Sequence, residues 1–138
     1  MNTSDLKFDE LQVELLAAIP ELRECVEGAF RDDYDLTKET PGAYPIFEDV
    51  VQDFLLKKLN SRQSETILRR LFDFFERMAI SNDGNVSDLL RIAILESLVY
   101  RPEEYHLSRQ YMGRKTTEFA ELEKNAQNAQ KADGPSLS

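Results

Sequence analysis

The chain has 138 residues, 41% of them hydrophobic and 31% charged, with one cysteine and a formal net charge of −9. That length fits one domain, since a chain of this size removes roughly two thirds of its unfolded surface from water on folding, and the composition excludes disordered and fibrous classes. A lone cysteine excludes an internal disulfide, and every apolar run is broken far short of the ~20 residues of a membrane-spanning helix.

The first ten residues, MNTSDLKFDE, lack a basic region followed by an apolar stretch, so no secretory signal is expected and the predicted location is cytoplasmic. Ser4 is placed to N-cap a first helix in which Leu6, Leu11, Leu15 and Ala18 share a face, and Pro20 opens a second segment. Leu22, Val26, Ala29 and Phe30 continue the spacing there; Cys25, in LRECVEGAF, reads as a small buried thiol. No histidine stands near it to make a thiolate nucleophile. From Asp32 to Pro45 the periodicity stops, and Pro41, Gly42 and Pro45 punctuate the longest irregular stretch of the domain, the kind of loop that carries function.

Helical spacing returns with Phe47, Val50, Val51, Phe54, Leu55 and Leu59, up to a polar break at residues 60–64. A helix over 65–80 carries a core stripe of Ile67, Leu71, Phe74, Phe75 and Met78. Residues 81–85, SNDGN, form a turn, with Asn85 and Asp88 spaced as a capping box. Asp83, Asn85 and Ser87 alternate like calcium ligands, but Gly84 stands in the wrong place and the closing glutamate is missing. Residues 86–100 are apolar around most of the helix, which places them centrally; Glu96 there reads as a structural acceptor for loop amides. Pro102 ends that helix, residues 103–112 make a short one, and Gly113 is positioned as a C-cap glycine. The last helix runs from Thr116 to about residue 128 with Phe119, Leu122 and Ala126 on its apolar face.

The prediction is therefore an all-α protein. About six or seven helices form an irregular bundle or a short solenoid of stacked antiparallel hairpins. One domain spans residues 1–126, and a polar tail spans 127–138.

Catalytic patterns are missing from the sequence. His106 is the only histidine, and with Glu103 and Glu104 it has no metal-site spacing. No glycine-rich phosphate loop, nucleophile elbow or two-cysteine motif is present. The expectation is a protein without enzymatic activity, cofactor or metal.

Residues 65–125, with Ile94 to Glu96 and the turn Tyr111, Met112, Gly113 and Thr116, resemble a family of small all-helical bacterial proteins. That family is similar to immunity proteins of polymorphic or contact-delivered toxin systems. The resemblance implies a scaffold role for the matching positions: Gly113 turns the chain, Thr116 caps a helix, and Glu96 accepts hydrogen bonds from that turn. It implies a function of toxin neutralisation by binding. It carries no toxin-contacting residue across.

Charge placement supplies the candidate surface. Residues 1–53 hold 14 Asp and Glu against 4 Lys and Arg, whereas residues 54–138 hold 12 against 13. Such asymmetry speeds encounter with a positively charged partner and disfavours nucleic acid, which needs a basic stripe. Solubility is the plainer explanation of an acidic surface. The stretch FRDDYDLTKETPGAYPIFEDV combines carboxylates with aromatic anchors, and the predicted partner-binding residues are Glu27, Asp32, Asp33, Tyr34, Asp35, Glu39, Tyr44, Phe47, Glu48 and Asp49, extended by Glu21 and Glu24. The expected partner is a cognate, basic toxin, possible nucleases included; the alternative is a helical adaptor that binds another cellular protein.

Overall fold

The computed structural model describes residues 5–32 and 41–133. Among them are seven helices and no strand. A 3-10 turn at Phe8–Glu10 leads into α1 (Leu11–Ala18), followed by α2 (Leu22–Phe30). Helix α3 covers residues 43–59, α-helical at Ala43–Pro45 and Gln52–Leu59 and π-helical at Ile46–Val51 between them. Then come α4 (Glu65–Ala79), α5 over residues 84–99 with a π-helical middle at Leu90–Leu95, α6 (Pro102–Ser108) and α7 (Arg114–Asp133).

One apolar core joins all seven helices. Phe47, Phe72, Phe74 and Phe75 are its largest fully buried side chains, and Leu6, Leu11, Leu15, Ile19 and Leu22 extend it to the N-terminal end. The rings of Phe72 and Phe75 meet edge to face at 5.1 Å, and Tyr111 stacks on Phe72 at 6.0 Å. Burial of such aromatics supplies much of the driving force for folding. The two π-helical turns pack against each other at the centre. In α3 the Gln52 amide reaches back five residues to the Phe47 carbonyl, and in α5 the Glu96 amide reaches Arg91 in the same way.

Three polar ties fix the helices around this core. Arg70 of α4 donates both guanidinium arms to the Glu21 carboxylate at 2.9 and 3.0 Å, and one of them also to the Ala18 carbonyl at 2.9 Å. It thus satisfies an orphan carbonyl at the end of α1 and locks the corner into α2. At the N-terminal end, Ser81 donates its hydroxyl to the Leu6 carbonyl at 2.6 Å, and Asp83 accepts from the Phe8 amide at 2.8 Å. The same Asp83 accepts from the Asn85 amide at 3.1 Å, so Asp83 is the N-cap of α5. The third tie is the Glu76 carboxylate at the start of α7. It accepts from the backbone amides of Lys115 and Thr116 at 3.0 and 2.9 Å and from the Thr116 hydroxyl at 2.8 Å.

Several expectations change in detail. Helix α3 starts at Ala43, before Pro45, because a proline in a first helical turn lacks only an N–H that has no partner there anyway. Cys25 is exposed, with its sulfur 4.0 Å from the Glu21 carbonyl, and Ala29 is exposed beside it. The capping residue of α5 is Asp83, two positions ahead of Asn85. No described glycine has a positive φ, so Gly113 is no left-handed C-cap. Its lack of a side chain matters for another reason: a Cβ there would meet the Glu76 Cδ and Oε1 at 2.5 Å. Glu96 is exposed, and the acceptor for the Gly113 turn is Glu76. Leu122 is 60% exposed and Ala126 is also outside; among the described side chains of α7, Thr116 and Ala120 are the buried ones. The helix itself continues to Asp133, past the point at 126/127 where the polar tail was expected to begin.

Candidate partner-binding surface

Helices α2 and α3 pack side by side through Val26 and Phe30 on one and Ile46, Phe47, Val50 and Phe54 on the other, all buried. Their periodic apolar faces turn inward, so the remaining positions of both helices share an outer surface. That surface carries Glu24, Glu27 and Asp32 from α2 and its end, and Glu48, Asp49 and Asp53 from α3; all six are exposed. Arg23 and Arg31 stand on α2 with them. Among the described residues Glu24, Glu27, Asp32, Glu48 and Asp49 form no ion pair, whereas Asp53 holds Lys57 at 3.0 Å.

Along the seam between the two helices runs a groove of about 140 Å³, lined by Cys25, Ala29, Asp49, Val50, Asp53, Phe54 and Lys57. Asp49 and Asp53 are four residues apart, one turn of α3, so both carboxylates stand over the groove, with Val50 and Phe54 providing an apolar wall. This arrangement suits a long cationic side chain: the alkyl stem lies along the Val50 and Phe54 wall and the charged end meets Asp49, while Asp53 already holds Lys57 at the same groove. Glu48, adjacent in sequence to Asp49, is exposed but is not one of the described lining residues.

The predicted positions fall into four groups. Glu27, Asp32, Glu48 and Asp49 lie on the exposed face of α2 and α3. Tyr44 is 36% exposed, with its ring 6.2 Å from that of Phe8, so one edge is packed and the other free. Phe47 is fully buried in the core and cannot anchor a partner, because the helix it occupies turns that position inward. Asp33, Tyr34, Asp35 and Glu39 lie outside the described residues. Glu21 leaves the free acidic set: its hydrogen bonds from Arg70 hold its carboxyl below the usual carboxylate range. Asp53 and Cys25 were missed as surface candidates, although the spacing of Asp49 and Asp53 on a helical stretch places the two acids on one side.

The structural positions also sort clearly. Gly113 and Thr116 sit under the Glu76 carboxylate, and Met112 and Tyr111 pack on the core beside them. Arg69 lies over the Tyr111 ring at 5.9 Å. The whole turn is therefore built into the scaffold. A protein-family model described as a domain of unknown function, DUF7674, matches residues 13–127. The chain belongs to the DUF7674 family. The matched region takes in every helix described here, with α1 and α7 entered part-way along. No curated protein and no solved structure matches the chain. Family membership accordingly brings no activity with it, and no helix among the described residues is long and apolar enough to cross a membrane.

Proposed function

We propose that the protein is an immunity-type inhibitor, a cytoplasmic binding protein that neutralises a basic toxin by covering its active site or substrate cleft and does no chemistry of its own. The observation that carries this reading is the α2 and α3 face, where Asp49 and Asp53 overhang a groove the size of one side chain among further carboxylates without ion partners. A nuclease or similar toxin offers Lys and Arg where it handles phosphates. An inhibitor facing it needs opposite charge for rapid capture and a few seated side chains for slow release. The groove supplies a seat and Tyr44 an aromatic edge.

The test is co-expression with the product of the adjacent gene. Restored growth and a stoichiometric complex support the reading. A harmless neighbour and no complex leave the adaptor reading in its place.

A further inference from the structure

On the C-terminal side, far along the chain from the acidic surface, Val99, Tyr100, Pro102, Tyr105, His106, Arg109, Lys124, Gln127 and Asn128 line a cleft of about 340 Å³. It lies where the end of α5, helix α6 and the second half of α7 meet. From the geometry and chemistry of this lining we infer that the cleft binds a small organic phosphate monoester, a ligand class independent of the proposed toxin partner.

Charge supports the assignment first. In a chain with a net charge of −9, no Asp or Glu among the described residues lines this cleft, while Arg109 and Lys124 both do. Neither forms an ion pair among the described residues, although the basic residues of α4, Arg69, Arg70 and Arg77, all do. Two carboxylates on the helices that form the cleft are engaged elsewhere: Glu104 accepts from Asn60 at 3.3 Å and Glu123 accepts from Arg91 at 3.1 Å. Glu103 and Glu121 are exposed and are not part of the lining.

The donor set comes next. Arg109 offers a planar fork and Lys124 a point charge, a combination matched to a dianionic phosphate. His106 donates a ring N–H in either charge state, and the Tyr100 hydroxyl and the side-chain amide of Asn128 add neutral donors. Gln127 is held in place by its bond to the Glu96 carbonyl at 3.1 Å. Lys124 is also held, over the Tyr105 ring at 5.2 Å, which reduces the entropy lost when it engages an anion. Finally, the volume exceeds that of a bare phosphate and falls at the lower end of small-molecule sites, which span about 300–1,000 Å³. Tyr100, 57% exposed, and Pro102 give the organic part an apolar wall.

Titration calorimetry of the full chain with phenyl phosphate, inorganic phosphate and succinate, at matched ionic strength, tests the inference, with Arg109→Ala and Lys124→Met as variants. Both side chains lie at the surface, so circular dichroism is expected to be unchanged in the variants. The expected result is saturable binding of phenyl phosphate, stronger than that of inorganic phosphate, and weakened about tenfold or more by either substitution, the loss of one charged hydrogen-bonding partner. Absence of saturation by phenyl phosphate, preference for succinate, or affinity unmoved by both substitutions would overturn it.

Discussion

The carboxylate of Glu76 holds both donors of Thr116, the backbone amide at 2.9 Å and the hydroxyl at 2.8 Å, across 40 positions of sequence. With the Lys115 amide bound as well, a side chain from α4 does for α7 what an N-cap residue does for its own helix. Gly113 occupies the cap position, and its carbonyl accepts from the Thr117 amide and hydroxyl at 3.0 and 2.8 Å. Negative charge at a helix start is favourable besides. Glu76→Ala is expected to cost about 2 kcal/mol, since it leaves part-buried donors unmatched. Urea unfolding measures this directly.

Gly113→Ala should act on the same three bonds. Its Cβ would stand 2.5 Å from the Glu76 Cδ, and the carboxylate can move aside only by giving up those donors. The two substitutions combined should therefore cost clearly less than the sum of the two alone. Additive losses in the double-mutant cycle would show that Gly113 serves some other purpose.

Glu21 and Arg70 give the fold a pH dependence of definite sign. The Arg70 hydrogen bonds hold the Glu21 carboxyl below its ordinary range, so the pair stabilises the fold above that range and its contribution is lost as pH falls through the folded-state value. Both side chains are substantially exposed, so the effect is a fraction of 1 kcal/mol to about 1 kcal/mol. Glu21→Gln should lower the melting temperature slightly at neutral pH, and the difference from the parent should fade as pH drops below the ordinary carboxylate range and through the lowered folded-state value.

Phe47 and Tyr44 are three residues apart and separate stability from binding. Phe47→Ala empties a fully buried site and should cost about 3–5 kcal/mol in unfolding free energy. Tyr44→Ala removes a ring that is 36% exposed and touches Phe8, so the stability loss should be smaller. With the partner in hand, Tyr44→Ala should raise the dissociation rate, as loss of a seated aromatic does.

The fold was legible because nearly all its core obeys helical spacing: Leu71, Phe74, Phe75 and Met78 are read correctly from the sequence and found buried. What escaped was long-range. The partner of the Gly113 turn was sought in Glu96, the polar residue of an apolar helix, yet Glu96 faces outward and Glu76, one of several acids on α4, is the acceptor. No local pattern distinguishes Glu76 from its neighbours. Leu122 misled for a related reason: α7 packs through the small residues Thr116 and Ala120, which a search for large apolar side chains passes over. The π-helical turns of α3 and α5 are likewise invisible to a 3.6-residue period. The acidic face was half legible, since composition placed its charge but could not show Asp49 and Asp53 over a groove with Cys25 and Ala29.

If that groove seats a cationic side chain of the partner, the double substitution Asp49→Asn and Asp53→Asn should slow association and flatten its salt dependence. Stopped-flow mixing at several salt concentrations reads both quantities. The loss in affinity should be about tenfold or more, and thermal stability should change little, since both residues are exposed.

Co-expression with the product of the adjacent gene tests the central claim most directly, by growth and by recovery of a tagged copy. The expected result is that the protein restores growth, co-purifies with its neighbour in stoichiometric amount, and loses rescue on substitution of Asp49 and Asp53. A toxic neighbour whose effect is undiminished, or a harmless one that does not bind, would contradict it.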